Sequence, residues 1–234
     1  VIVLALETAT IEVGAALVGP DGVLAEWRQP CRRRHAETLH PAVGSVLATA
    51  GVRLAELDAV AVDVGPGLFT GLRVGLAAAK AFGFALGIPL VAVRSTEVLW
   101  AAGAADPRAA GVAVVPVVDM RRGELAWELP GSTLEIGPAT QLADRLAGLA
   151  GPVFVVGDGA ARLAAVGGLS GVVFAGDDES LAAPMVAVLG GIGLVRAEKG
   201  ATVDAVSIEP CYLRVADARA SFETRDRDPV TGCS

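Results

Sequence analysis

The sequence predicts an α/β protein of two related lobes, and three observations carry that prediction. Strand-like and helix-like segments alternate from the first residue, as a sheet covered by helices requires. The order strand, acid, turn, strand found over Val1–Val18 returns over Val112–Glu128, and the strand and glycine turn of Val60–Gly67 returns at Phe154–Gly159. A duplicated α/β unit accounts for both echoes. The third observation is compositional: 234 residues suffice for two lobes of roughly 100 residues each, and 53% hydrophobic residues with only 4% aromatics specify a core of Ala, Val, Leu and Gly.

In chain order, Val1–Glu7 reads as a buried strand, Glu12–Val18 as a second and Val23–Gln29 as a third, with Pro20-Asp21-Gly22 as the hairpin turn. A helix pattern covers about His35 to Ala50, where Pro41 either kinks the helix or marks its true first turn. Ala59–Val64 is the next strand, followed by a glycine loop and a helix from about Leu72 to Leu86. Ile88–Val93 is a further strand, and Ser95 is placed to cap a helix over Thr96–Ala104. Ala105-Asp106-Pro107-Arg108 reads as a boundary, which puts the first lobe at residues 1–105 and the second at 106–215, its last helix packing back on the first lobe. Within the second lobe, Val112–Asp119 and Glu124–Glu128 flank a tight turn at Met120-Arg121-Arg122-Gly123. Ser180 opens a long apolar helix through about Glu198, preceded by Asp177, Asp178 and Glu179, acids that suit the helix dipole. Residues 216–234 mix Asp, Arg, Glu and Gly without periodicity and read as a flexible tail.

Several function classes are disfavoured by composition. A net charge of −7 argues against stand-alone binding to nucleic acid, which depends on neutralising phosphates. Arg28, Arg32, Arg33 and Arg34 form one local basic cluster, read as a solvated loop, with contact to phosphate inside an assembled complex left open as the alternative. The most apolar window, Leu181 to Val195, holds Pro184 and at 15 residues falls short of the roughly 18 needed to span a bilayer, so no membrane helix is expected. No basic segment precedes an apolar signal segment, and a cytoplasmic location is the expectation. Cys31, Cys211 and Cys233 lie far apart without CxxC spacing, so ordinary reduced thiols are expected rather than disulfides or a zinc site.

Chemistry concentrates in the stretch from Val62 to Gly75, where Gly65, Pro66, Gly67 and Gly71 join a strand to a helix. Such a turn aims backbone N–H groups and a helix N-terminus at one point, where an anion can sit. No Lys-Ser/Thr pair follows Gly71, and Thr70 stands where the third glycine of a GxGxxG motif belongs, so neither phosphate grip is complete. Gly75, Ala77, Ala78, Ala79, Ala81, Gly83 and Ala85 make the helix small nearly all round, which suits close approach of another backbone, from the same lobe or from another chain. Arg73 in its first turn opposes the helix dipole and asks for a carboxylate, Glu7 or Asp63 from the fold or an acid from a partner.

Leu4-Ala5-Leu6-Glu7-Thr8-Ala9-Thr10, Arg34-His35-Ala36-Glu37-Thr38-Leu39-His40-Pro41, the loop from Gly65 to Gly75, and Glu209-Pro210-Cys211-Tyr212-Leu213-Arg214 together resemble the bacterial TsaB (YeaZ) family over roughly residues 1 to 214. The resemblance implies the actin-like ATPase fold of two RNase-H-like lobes, each a mixed sheet with flanking helices. It further implies a non-catalytic subunit of the machinery that makes threonylcarbamoyladenosine beside the anticodon of tRNA. The partners implied are a TsaD-like enzyme, which carries the metal and the transfer, and a small TsaE-like ATPase. Contact with tRNA comes only through the complex, and homodimerisation of the chain alone is left open.

Against that background the residues predict an empty site. A working actin-like ATPase places a glycine in its first hairpin turn, whereas Glu7-Thr8-Ala9-Thr10 has none between the acid and the threonines. Glu7, Thr8 and Thr10 remain the nucleotide-binding candidates, with Thr8 and Thr10 equally suited to satisfying turn amides. No cofactor bound tightly by this chain alone is expected, and whether ATP or ADP binds at an interface with partners is left open. Catalytic relatives hold a metal with HxxxH, but His35 and His40 are five apart, about 140° around a helix, and Leu39 fills the ligand position, so no metal is expected. HExxH and GxSxG are absent from the sequence, which argues against a peptidase. Function is therefore expected on the surface of two helices, through His35, Leu39 and Val43 on one and Arg73, Leu76, Ala79, Lys80 and Gly83 on the other. The alternative is a phosphotransferase of the same fold with its own ATP site.

Overall fold

The computed structural model describes residues 1–213 except Arg32, Arg33 and Asp177. The expectations about the tail at 216–234, about Arg214 and Cys233, and about those three residues lie outside the described residues. In the first lobe, β1 (Val3–Glu7), β2 (Glu12–Gly19) and β3 (Gly22–Pro30) form an antiparallel meander, followed by α1 (His35–Ala50), β4 (Ala59–Asp63), α2 (Phe69–Leu86), β5 (Leu90–Val93) and α3 (Ser95–Ala104). The sheet order is β3-β2-β1-β4-β5, with β4 parallel to β1 and to β5. Both β1 and β4 are buried throughout, which explains their near-continuous apolar sequence: they are central strands covered on two faces.

The second lobe comprises β6 (Ala113–Asp119), β7 (Glu124–Trp127), β8 (Glu135–Pro138), α4 (Ala139–Ala147), β9 (Val153–Val156), α5 (Ala160–Ala164) and β10 (Val172–Phe174). Its order, β10-β9-β6-β7-β8, is the first sheet read from the other edge: an antiparallel meander beside two parallel strands. The duplication seen in the sequence is thus a duplication of topology.

After α6 (Glu179–Ala182), α7 (Val186–Glu198) returns to the first sheet, where Val186 and Leu189 are buried with Val3, Ala5, Val18 and Ala61. Its glycines permit the contact. A Cβ at Gly190 would lie 2.5 Å from Val18, and one at Gly193 would lie 2.4 Å from Ala61. The opposite face of the sheet carries α1 and α2, with Leu39, Val43, Val46, Leu76 and Ala79 in the core.

Four local expectations are corrected. Pro184 divides the single helix expected from Ser180 into α6 and α7, because a proline interrupts the helical hydrogen-bond ladder. The helix α2 begins at Phe69, so Arg73 is its fifth residue rather than part of its first turn. Ser95 is the first residue of α3 and gives its hydroxyl to Asp63 instead of capping the helix. Pro41 lies inside α1 as its seventh residue, which overturns the first-turn alternative for it, and it is exposed, so water can take up the carbonyl it leaves free. By length and composition α2 is also long and apolar enough to cross a membrane, although the sequence pointed to Leu181–Val195 as the most apolar stretch. In this fold it is a core helix, with Gly71, Leu72, Gly75, Leu76, Ala78, Ala79 and Gly83 buried.

Candidate functional site

Parallel pairing of β1 with β4 brings the last residue of each strand to the same sheet end, and these residues are Glu7 and Asp63. Both are buried, at 2% and 0% exposure. Glu7 Oε1 accepts the Ala9 N–H at 2.7 Å, and Asp63 Oδ1 accepts the Gly65 N–H and the Ser95 hydroxyl, each at 2.7 Å. The other oxygens, Glu7 Oε2 and Asp63 Oδ2, meet no donor while both groups are carboxylates. Burial and the neighbouring Asp63 carboxylate push the Glu7 carboxyl well above the usual carboxylate range. Burial raises Asp63 too, opposed by the neighbouring Glu7 carboxyl and by the hydrogen bonds it accepts from Gly65 and Ser95.

The glycine loop closes over this acid pair by packing on the first hairpin turn. Gly65 has φ +101°, a conformation that favours glycine. A Cβ at Gly67 would stand 2.3 Å from the Ala9 carbonyl oxygen, and one at Gly75 would stand 2.3 Å from Thr8 Oγ1. At Gly71 the clash would be with the Thr8 carbonyl oxygen, at 1.9 Å. Leu68 N–H donates to Ala9 O at 2.6 Å, and Thr8 Oγ1 donates to Gly71 O at 2.9 Å. Close backbone approach, the property that lets a glycine loop cradle a phosphate, is used here to hold the chain against itself.

The nucleotide candidates are accordingly buried within the fold: Glu7 faces Asp63, Thr8 is bonded to α2, and Thr10 Oγ1 accepts the Glu12 N–H at 3.2 Å. Among the expected interface residues, Leu39, Val43, Leu76, Ala79 and Gly83 are buried, which turns them inward rather than toward another chain. His35 is buried as well, its Nε2 2.8 Å from Thr10 O, whereas a surface histidine was expected. His40 is exposed beside Phe82, and no group of three metal-ligating side chains occurs among the described residues. Lys80 bonds the Val206 carbonyl at 3.3 Å.

Among the described residues, Arg73 meets two aromatic side chains and neither Glu7 nor Asp63. Its guanidinium stacks 3.6 Å over the Phe69 ring, and its Nε donates to Tyr212 Oη at 3.0 Å. Phe69 and Tyr212 are each 45% exposed, so this sandwich is a surface platform beside the loop. Sequence reading singled out both Arg73 and Tyr212 without joining them, because 139 residues separate them. In the basic cluster, Arg28 pairs with Glu12 and Arg34 with Glu37, at 2.8 and 2.7 Å.

The equivalent end of the second lobe carries Asp119, at the end of β6, and Asp158, after β9. Asp119 N–H donates to Asp158 Oδ1 at 2.7 Å, while Arg121 and Arg162 reach Asp119 Oδ2 at 3.1 and 3.4 Å. Arg121 and Arg122 hold φ of 61° and 53°, left-handed conformations unusual for arginine. Burial raises the Asp158 carboxyl to about 6, against the Asp119 amide and the Arg121 charge. The repeated strand and acid were the signal for this cluster; the arginine opposite, Arg162, came from α5, which the sequence reading did not resolve.

Between the lobes, Thr96, Glu97, Trp100, Glu128, Ser132 and Arg196 help line an open cavity of about 390 Å³. Glu128 spans the seam by accepting from Thr96 Oγ1 at 3.0 Å and Arg94 at 3.3 Å. Arg196 joins the network through Glu97 at 2.8 Å.

A profile of the family described as TsaD, tRNA N6-adenosine threonylcarbamoyltransferase, matches residues 28–185. The Bacillus subtilis tRNA threonylcarbamoyladenosine biosynthesis protein TsaB is 35% identical over 123 residues, 53% of this chain and 52% of that protein. An uncharacterised protein of Mycobacterium tuberculosis is 41% identical over 144 residues, 60% of this chain and 65% of that protein. The chain thus spans about half to two thirds of the length of these curated relatives. A solved Pseudomonas aeruginosa protein, described as similar to peptidase YeaZ, superposes with a TM-score of 0.77 at 27% identity, covering 91% of this chain and 99% of the other.

Proposed function

The chain belongs to the TsaB (YeaZ) family, within the wider threonylcarbamoyltransferase family whose profile it matches, and on that premise we propose that it serves the biosynthesis of threonylcarbamoyladenosine in tRNA as a partner subunit. It binds a TsaD-like enzyme, which performs the transfer, and helps recruit a TsaE-like ATPase in the cytoplasm. Any ATP or ADP binds at an interface made with those partners, and tRNA is met through the complex.

The observation that best supports this reading is the closure of the glycine loop. Its approach is spent on Thr8 and Ala9, and its Leu68 amide is committed to Ala9 O at 2.6 Å, where a phosphate-binding loop leaves amides free. A subunit whose cradle is filled by its own chain contributes through contact. The exposed outer face of α2, with Arg73, Ala77, Ala81 and Phe84, is the surface assigned to that contact.

Reconstitution tests the proposal. The chain, its genomic TsaD-like and TsaE-like partners, a threonylcarbamoyl-adenylate source and unmodified tRNA are combined, and modified adenosine is measured by mass spectrometry. Product that requires the chain, and falls at least tenfold with a folded Arg73→Glu/Ala81→Trp variant that no longer co-elutes with the TsaD-like protein, supports the role. Product formed equally well without the chain overturns it.

A further inference from the structure

We propose that Glu7 and Asp63 share a single proton, with Glu7 Oε2 as donor and Asp63 Oδ2 as acceptor, and that this proton locks the first hairpin turn to the glycine loop. The argument begins with an accounting of four oxygens. Glu7 Oε1 and Asp63 Oδ1 are satisfied by amides and by the Ser95 hydroxyl, whereas Oε2 and Oδ2 are fully buried without a donor. Two ionised carboxylates would leave both of these oxygens desolvated, unpartnered and repelling each other. One proton between them answers all three costs.

The direction of the bond follows from the neighbours. Asp63 Oδ1 accepts two donors, which stabilise a charge on Asp63; Glu7 Oε1 accepts one, from Ala9. Glu7 therefore keeps the proton, in agreement with its greater rise above the ordinary carboxylate range.

The groups facing the pair favour neutralisation. From β2, Gly14 brings no charge, and from α7 the apolar Val186 fills the space over Gly14 beside Glu7. From α3, Glu97 adds negative potential at Asp63, although Arg94 and Arg196 pair with it. The Cys211 thiol, bonded into the site through its amide to Val64 O at 2.7 Å, is itself pushed up by burial and by the charges of Asp63 and Glu128, against Arg94. None of the groups that act on Glu7 is a cation.

The mechanical consequence lies in what each acid holds. Glu7 fixes the turn through Ala9, and Asp63 fixes the glycine loop through Gly65 and the start of α3 through Ser95. Loss of the shared proton puts a second charge in this dry space and separates the two loops.

Stability measured against pH tests the lock. An acid raised in the folded state binds its proton more tightly there, so stability is full below the unfolded value near about 4.3 and falls as pH rises toward the folded value. Over that window the wild-type folding constant should fall tenfold per pH unit relative to Glu7→Gln, whose amide donates permanently to Asp63. In the wild-type protein, infrared spectroscopy at neutral pH should show a protonated-carboxyl band that Glu7→Gln lacks, and 13C-carboxyl NMR should show the two acids titrating as a coupled pair. Should Glu7→Gln fail to fold, the 13C titration of the wild type still decides. Two independent titrations in the ordinary range overturn the proposal. So does loss of the carboxyl band on adding Mg2+ or Mn2+ at neutral pH, which would make the pair a cation site.

Discussion

The two lobes share one topology yet treat the acids at the ends of their central strands in opposite ways. In the first, Glu7 and Asp63 are sealed at 2% and 0% exposure, with amides and a hydroxyl for company. In the second, Asp119 and Asp158 are joined by Arg121 and Arg162, and the Asp158 side chain keeps 32% of its exposure. Strand order delivers an acid to the same place twice; what covers the strand end decides its chemistry. Glycines 67, 71 and 75 bring α2 onto the first hairpin, while in the second lobe the five-residue α5 follows the glycine turn and its Arg162 enters as a counter-ion. A closed site holds a proton, and an open one holds ion pairs.

The strongest way to break this contrast is Gly71→Ala. Its methyl group would fall 1.9 Å from the Thr8 carbonyl, a backbone atom with little freedom to move. Chemical denaturation should register a loss of about 3 kcal/mol, with hydrogen exchange accelerated at the first hairpin. Wild-type stability would mean that the first lobe is not clamped shut.

Asp158→Asn sharpens the second half. The Asp158 carboxyl, raised to about 6, gives stability that is present below about 3.9 and lost as pH rises through 6. The variant should therefore gain on the wild type above pH 6 and match it at low pH. The gain should reach about 2 kcal/mol, since the partly exposed side chain keeps some of its hydration. A pH-independent difference between the two melting curves would contradict the assignment.

Glu128→Ala asks whether the lobes differ in isolation or only when coupled. It removes the acceptor of Thr96 and Arg94 across the seam, at a cost of about 1 kcal/mol. Calorimetry should resolve the single transition toward two, one for each lobe, and an unchanged endotherm would assign the coupling to α7 instead. The smallest effect is expected from Gly44→Ala in α1, where nothing lies within 4 Å of the new methyl group. Thermal unfolding should show a gain of about 0.5–1 kcal/mol, because alanine replaces glycine in an exposed helix interior. A loss there would mean that the outer face of α1 is less open than it looks.

Much of this architecture was readable from the chain itself. The strands β1, β4, β6 and β9 are apolar runs ending at or near acids, and their repetition announced two related lobes. Short elements escaped: α5 and β10 have five and three residues, too few for a period to emerge. At the site, Glu7, Thr8 and Thr10 were legible as a turn bearing an acid, and the glycine loop as a turn that aims its amides at one point. What the loop approaches was not legible, since a glycine declares that space is short without naming the occupant.

The amino-acid sequence by itself determined the duplicated topology, the positions of the turns and the acids at the strand ends, because those depend on local periodicity and backbone preference. The tertiary structure alone decided that the loop packs on Thr8 and Ala9, that Arg73 joins Tyr212 rather than Glu7 or Asp63, and that Glu7 meets Asp63. Those outcomes depend on which distant segments exclude water from a shared space, and burial of that kind belongs to the folded chain as a whole.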